Sequence, residues 1–151
     1  MIKTKKTGQL IVISAPSGAG KGTIINELLK RNDNFYLSIS TTSRPIRTND
    51  IPGVTYNFVS KEEFEQKINE GYFLEYTNYV GNYYGTPRST IKEKLDQGLD
   101  VILEIEIEGA TNIKKLIPEA IFIFILPPSL KDMVTRLKKR GTDSNEKIIK
   151  R

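Results

Sequence analysis

The chain has 151 residues, the length of one domain, and its 38% hydrophobic and 27% charged residues are typical of a soluble globular protein. It contains no cysteine and no histidine, which excludes disulfides, thiolate metal sites and histidine bases and leaves the chemistry to carboxylates, lysine, arginine, hydroxyls, backbone amides or bound Mg²⁺. Residues 1–6 contribute +3 and residues 131–151 contribute +5, so residues 7–130 carry −3 within the net charge of +5. This distribution favours a solvated tail and a phosphate-facing late segment over a nucleic-acid-binding stripe.

Apolar periodicity predicts alternating strands and helices in the first half of the chain. The apolar run at residues 9–13 predicts a strand, and apolar residues at helical spacing predict a helix over residues 23–31. Ser60 and Glu63 form the pattern of a capping box, which predicts a helix that continues to about residue 70. Residues 73–80 have the composition of a strand.

The second half of the chain continues this alternation. In chain order we expect a turn-rich segment, a helix, a strand, a helix, a strand and a last helix, at residues 81–87, 90–97, 100–107, 109–117, 120–126 and 129–140. The strand at 120–126 is apolar throughout, as expected for a strand buried on both faces. Ser129 is the expected N-cap of the last helix. The order of elements predicts an α/β fold with a parallel sheet.

A glycine-rich segment follows the first predicted strand and opens the first predicted helix. It is close to the pattern G-x-x-x-x-G-K-[ST], in which backbone N–H groups and a helix N-terminus hold phosphates and the lysine reaches the β- and γ-phosphates. A hydroxyl of this loop supports Mg²⁺ through water, a role for which Thr23 is the candidate. The alternative is a glycine-rich turn that only caps a helix. The candidate ATP-binding residues are Ala15, Pro16, Ser17, Gly18, Ala19, Gly20, Lys21, Gly22 and Thr23.

Further motifs make the chain resemble guanylate kinases. SAPSGAGKGT, SISTTSRPIR, GVTYNFVSKEEF, FLEY, GNYYGTP, LEIEIEGA and FILPPS occur in the order and spacing of that family, and the similarity runs from Gly8 to Arg151. The resemblance implies a three-layer phosphate-loop fold and transfer of the γ-phosphoryl group of ATP to GMP with Mg²⁺. It also implies a core at residues 1–34 and 89–128, a GMP-binding lobe at 35–88, and a lid helix and lid at 129–151.

The resemblance implies two groups of GMP-binding residues. Arg44, Arg47, Tyr56 and Tyr84 match positions that bind the GMP phosphate, for which guanidinium groups are well suited. Glu75 matches the position that accepts from N1–H and the 2-amino group of guanine, while Ser40 and Thr86 match hydroxyls that contact the base. Without the resemblance, strand alternation would favour a solvated Glu75.

The segment LEIEIEGA carries Glu104, Glu106 and Glu108, which strand alternation would place on one face. The family usually has Asp at the position of Glu106 and Gln at that of Glu108. Glu106 is therefore expected to accept from the guanine amino group or to support Mg²⁺ through water. Glu108 is equally explained as a solvated turn residue.

Arginines near the C-terminus match the lid of the family. Arg136 is expected on the ATP side, and Arg140 and Arg151 are expected at the transferring phosphoryl group. Because phosphoryl transfer needs alignment and charge neutralisation more than covalent chemistry, the catalytic group would be Lys21, Arg44, Arg140 and Arg151.

Alternatives to an active guanylate kinase remain at this stage. Family members continue beyond Arg151, so we expect a shortened chain with an exposed apolar surface, whose own activity is an open question. The rivals are another nucleoside monophosphate kinase, a non-catalytic guanylate-kinase-like binding module and an inactive fragment; a GTPase lacks support because N-K-x-D is absent. We expect a cytoplasmic monomer or homodimer that binds ATP and GMP, with neither nucleic acid nor membrane as a partner.

Overall fold

A computed structural model describes residues 6–141. The elements follow the order β1 (Leu10–Ser14), α1 (Lys21–Arg31), β2 (Phe35–Leu37), β3 (Thr41–Thr42), β4 (Asn57–Phe58), α2 (Lys61–Asn69), β5 (Phe73–Tyr79), β6 (Asn82–Pro87), α3 (Arg88–Asp96), β7 (Asp100–Glu104), α4 (Ile107–Leu116), β8 (Ile121–Phe124) and α5 (Leu130–Arg140). None of the helices in this part of the chain is long and apolar enough to cross a membrane.

The first sheet has the strand order β2-β7-β1-β8, and every adjacent pair is parallel. Alternation along β1 sends Leu10 and Val12 into one core cluster with Ile113 of α4, and Ile13 into another with Ile25 of α1. Helices therefore cover both faces of the sheet. This arrangement confirms the predicted α/β fold with a parallel sheet and three layers.

The second sheet has the order β4-β3-β6-β5 and lies within residues 41–87. Of the segment 81–87, predicted to be turn-rich, residues 82–87 instead form strand β6, which pairs antiparallel with β5. The turn-rich prediction is wrong because the hairpin needs only two turn residues, Val80 with φ 50° and Gly81 with φ 78°. Phe35–Leu37, which the sequence suggested for the smaller lobe, pairs with β7 in the first sheet.

The predicted burial of residues 120–126 on both faces is also wrong. In β8, Ile121, Ile123 and Phe124 are 41%, 43% and 49% exposed. Within the described residues β8 pairs only with β1 and lies at the edge of the sheet. An apolar run shows that a strand is suited to burial, but its neighbours decide whether it is covered.

Local capping signals are confirmed at two helix starts. The Ser60 hydroxyl accepts the Glu63 N–H at 3.1 Å and the Glu63 carboxylate accepts the Ser60 N–H at 2.8 Å, so the capping box is complete. The Ser129 hydroxyl accepts the N–H of Asp132 at 3.0 Å at the start of α5.

The strand predicted for residues 100–107 ends at Glu104. Glu106 is the N-cap of α4 and Glu108 lies in its first turn. The expectation that Glu104, Glu106 and Glu108 share one face by strand alternation is therefore wrong, because the chain changes from strand to helix period between them.

Candidate active site

A cleft of about 300 Å³ lies between the phosphate loop at residues 16–22 and the second sheet. The C-terminal ends of β1 and β7 open towards it, which is where parallel α/β sheets usually bind ligands. Of the residues predicted from the sequence, the cleft wall contains Pro16, Ser17, Gly18, Ala19, Gly20, Lys21, Gly22, Ser40, Arg44, Arg47, Tyr56, Glu75, Tyr84, Glu106 and Arg140.

Four other predicted residues lie in the structure but not on that wall. Ala15 and Thr86 are buried, Thr23 is exposed on α1, and Arg136 lies on α5 behind the loop. Arg151 lies outside the described residues.

The phosphate loop is shaped by glycines at its bends. Gly18 and Gly20 have φ of 81° and 93°, a backbone region that residues with a Cβ rarely adopt. A Cβ at Gly18 would also approach the Leu137 side chain of α5 to 3.1 Å. The loop therefore packs closely on α5, and it runs into α1, which begins at Lys21. The positive end of the α1 dipole faces the cleft, as an anion site requires.

Lys21 lies among oxygen atoms at the floor of the cleft. Its Nζ donates to the carbonyl of Ile105 at 3.4 Å and lies 4.0 Å from the Glu106 carboxylate. Burial raises the pKa of Glu104, and Glu106 adds to that effect while Lys21 opposes it. Glu104 received no role from the sequence, yet it lines the cleft beside Lys21.

Arg44 is buried and firmly held. Its guanidinium donates to both carboxylate oxygens of Asp50, at 2.8 Å and 3.2 Å, and to the carbonyl of Pro45 at 2.8 Å. It also lies 5.3 Å and 5.5 Å from the ring centroids of Tyr56 and Phe58. This arrangement presents a fixed cation to the cleft.

Two tyrosines face this cation. The rings of Tyr56 and Tyr84 meet edge to face with centroids 6.0 Å apart. Burial raises the pKa of Tyr56 to about 12, so its hydroxyl keeps its proton at neutral pH. It can therefore donate a hydrogen bond to an anion. Arg47 lines the same part of the cleft, with its backbone N–H donated to Asp50 at 2.7 Å.

Glu75 is the buried carboxylate at the other end of the cleft. It is 7% exposed, in a row with Phe73 and Thr77 on the inward face of β5. One carboxylate oxygen accepts from the Thr86 hydroxyl at 2.5 Å, and the other has no hydrogen-bond partner within the described residues. Burial raises the pKa of Glu75, the Thr86 hydrogen bond lowers it, and Glu108 raises it further. An orphaned buried acceptor in a cleft indicates a ligand that donates.

Helix α5 brings two arginines to the loop. Arg136 donates to the carbonyl of Ala19 at 3.3 Å, so it supports the loop from behind. Arg140 reaches the cleft itself, where it acts electrostatically on Glu104. Leu137, between them, is 1% exposed and anchors the helix on the loop.

Comparison with known proteins shows to which family the chain belongs. The sequence profile described as guanylate kinase matches residues 7–151, which is nearly the whole chain. The chain belongs to the guanylate kinase family. It is therefore related to phosphotransferases that act as nucleoside monophosphate kinases.

Individual members of the guanylate kinase family agree with this assignment. A guanylate kinase of Clostridioides difficile is 53% identical over 146 residues, which covers 97% of this chain and 71% of that protein. One of Clostridium tetani is 56% identical over 144 residues, which covers 95% of this chain and 69% of that protein. The crystal structure of guanylate kinase from Anaplasma phagocytophilum superposes with a TM-score of 0.74 at 33% identity, over 91% of this chain and 67% of that one.

The cleft also contains residues that sequence reasoning missed. Asp50, Thr77, Tyr79 and Gly109 line it without having been singled out. An acid three residues after Arg47 in a two-arginine segment was a readable signal for Asp50. Gly109 carried no such signal, because its importance depends on the side chain that packs against it.

Proposed function

We propose that this member of the guanylate kinase family transfers the γ-phosphoryl group of ATP to GMP, giving ADP and GDP. The observation that carries the proposal is the Glu75 carboxylate, buried at the end of a cleft that begins at a phosphate loop, with one oxygen lacking a partner among the described residues. The family relationship and the cleft geometry support the same reaction.

Glu75 suits guanine and not adenine. Guanine presents two adjacent donors, N1–H and the 2-amino group, which one carboxylate accepts together. Adenine presents an acceptor at N1 and would leave the buried carboxylate unmatched, a mismatch that discriminates by orders of magnitude. The Thr86 hydroxyl holds Glu75 from behind, and Ser40 on the cleft wall supplies a further hydroxyl.

The acceptor phosphate would lie between the base site and Lys21. Arg44, Arg47, Tyr56 and Tyr84 line this part of the cleft and supply two cations and two phenol groups. Positive charge and neutral hydroxyl donors together match a phosphate monoester. Arg44 would thereby also serve catalysis, since it fixes the nucleophilic oxygen of GMP for an in-line attack.

The donor nucleotide would place its phosphates on the loop from residue 15 to residue 23. Lys21 and the α1 N-terminus would bind the β- and γ-phosphates, and Arg140 would neutralise charge on the moving group. Arg136 would act through the loop, because it contacts Ala19. We propose the same charge-neutralising role for Arg151, which lies outside the described residues.

The residues fit Mg²⁺ held mainly by the nucleotide. Within residues 6–141 no cluster of three or more acidic side chains could form a metal cage. Mg²⁺ typically takes one or two carboxylates together with substrate phosphates and water. Glu104 and Glu106, which lie beside Lys21, would supply these carboxylates. When bound, the ion would neutralise charge on the nucleotide phosphates. Thr23 is exposed on α1, and its hydroxyl would assist through a water molecule.

The proposal extends to the organisation of the chain. Residues 1–34 and 89–128 together with strand β2 would form the core, the rest of 35–88 the GMP-binding lobe and 129–151 the lid, and closure of the last two would exclude water. We further propose a cytoplasmic monomer or homodimer that acts in purine nucleotide metabolism.

The test is ADP release from ATP–Mg²⁺ by the 151-residue chain with GMP, with AMP or with no acceptor. We expect release with GMP alone, and the Glu75→Gln variant should lose most of it because an amide cannot accept both guanine donors. Lys115→Ala, an exposed change on α4, is the control. Equal release with AMP would contradict the role of Glu75. No release with any acceptor would contradict the proposed activity of this chain.

A further inference from the structure

Asp50 forms a buried ion pair with Arg44 at the wall of the cleft. The two side chains are 11% and 8% exposed, and their closest atoms are 2.8 Å apart. Asp50 lines the cleft as well, so a carboxylate lies in a region that the proposed function assigns to a phosphate. The Asp50 carboxylate needs an explanation at this place, because its negative charge alone would repel a phosphate.

The hydrogen bonds of Arg44 supply that explanation. A guanidinium group has five N–H donors in a fixed plane. Two are given to the carboxylate oxygens of Asp50, and a third, on Nη1, is given to the carbonyl of Pro45. The remaining two, on Nε and Nη2, lie on the same edge and have no acceptor among the described residues. This Nε–Nη2 edge can bind a second anion in a bidentate way.

Asp50 also fixes the segment that carries both arginines. It accepts the backbone N–H of Arg47 at 2.7 Å, and its own N–H donates to the Arg47 carbonyl at 3.0 Å. The same carboxylate therefore joins the Arg44 side chain to the Arg47 backbone. The ring centroids of Tyr56 and Phe58 lie 5.3 Å and 5.5 Å from the guanidinium carbon.

We propose that Asp50 is a positioning residue. It occupies the Nη1–Nη2 edge of the Arg44 guanidinium and so directs the Nε–Nη2 edge of Arg44 at the acceptor phosphate. This inference rests on the proposed GMP phosphotransfer and deepens it. The cost of a nearby negative charge is offset because the carboxylate is fully engaged by Arg44 and Arg47. Asp50 acts through these two residues and touches no reacting atom.

The test compares binding of GMP and guanosine by calorimetry in the wild type and in Asp50→Asn. The two ligands differ only by the phosphate, so the ratio of their dissociation constants isolates the phosphate site. We expect Asp50→Asn to weaken GMP by about tenfold or more, the range for losing one partner of a buried charge pair. Guanosine should change by less than about twofold, because Glu75 is untouched.

Two further variants separate positioning from stability. Asp50→Glu keeps the carboxylate and should recover part of the GMP affinity. In an Arg44→Met background, Asp50→Asn should change GMP affinity much less than in the wild type, because Asp50 acts on the phosphate through the Arg44 side chain, which is already absent. Asp96→Asn is the matched control: it removes an exposed ion pair with Lys92 and should leave both ligands unaffected.

Each outcome decides between the proposals. A wild type that binds neither ligand would contradict the proposed function itself. A wild type that prefers GMP, with Asp50→Asn binding GMP equally well or more tightly, would overturn the role of Asp50 and leave the function intact. If Asp50→Asn does not fold, Asp50→Glu carries the test. A folded Asp50→Glu protein that binds GMP no more tightly than guanosine would also refute the positioning role.

Discussion

Gly109→Ala is the change that most directly examines the base site. Gly109 lies in the first turn of α4, and a Cβ built there would be 2.9 Å from the free carboxylate oxygen of Glu75 and 3.3 Å from its Cδ. The first distance is shorter than real Cβ contacts allow. Glu75 cannot move away easily, since it is buried and held by Thr86.

The magnitude follows from two opposing effects. Forcing an extra methyl group into a packed site costs about 1–3 kcal/mol. Alanine in place of glycine within a helix contributes up to about 1 kcal/mol in the other direction. Global stability should therefore fall by no more than about 3 kcal/mol. The displaced carboxylate should raise KM for GMP by about tenfold or more, since each 1.4 kcal/mol is a factor of ten.

Steady-state kinetics with GMP and ATP varied separately is the assay, accompanied by thermal unfolding. KM for ATP should stay near the wild-type value, because the phosphate loop is not touched. Lys115→Ala, on an exposed position of the same helix, should change neither KM. Wild-type KM for GMP in a folded Gly109→Ala protein would refute the view that the position of the Glu75 carboxylate is set by this contact.

Three more predictions concern pH, packing and capping. Because burial raises the pKa of Glu75 and guanine needs the ionised form, guanosine affinity should fall as pH is lowered through that raised value, and a titration of Glu75→Gln should show no such fall. A Cβ at Gly85 would lie 2.7 Å and 2.8 Å from the rings of Phe73 and Phe64, so Gly85→Ala should lower the free energy of unfolding by about 1–3 kcal/mol in denaturant titrations. Ser60→Ala removes the cap of α2 and should cost about 1 kcal/mol by the same measurement, with an unchanged value arguing against the capping box.

Local sequence determined much of the architecture. The phosphate loop, the caps at Ser60 and Ser129 and the order of strands and helices all depend on residues close together in the chain, whose dihedral preferences and hydrogen bonds act over one or two turns. The parallel orientation of the strands in the first sheet followed from the alternation of strands and helices, because consecutive parallel strands need a crossover connection, which is usually a helix.

Tertiary pairing decided which strands are covered and which segments are strands at all. The composition of residues 81–87 indicates turns, but β5 supplies the partner with which residues 82–87 form β6. The apolar run containing Ile121 and Ile123 suggested a covered strand, but β8 has one strand neighbour in the part of the chain that the structure describes. Burial depends on residues far away along the chain, and periodicity in a short segment cannot report them.

The site shows the same division. The resemblance to guanylate kinases named the arginines and tyrosines of the cleft, whereas their chemical types alone would have suggested surface arginines and half-buried tyrosines. Only the fold placed Glu75 on the inward face of β5 with Thr86 opposite, left Gly109 as the space for its carboxylate and joined Asp50 to Arg44. Each of these depends on a contact between side chains from different elements, and such contacts are fixed by packing in three dimensions rather than by local preference.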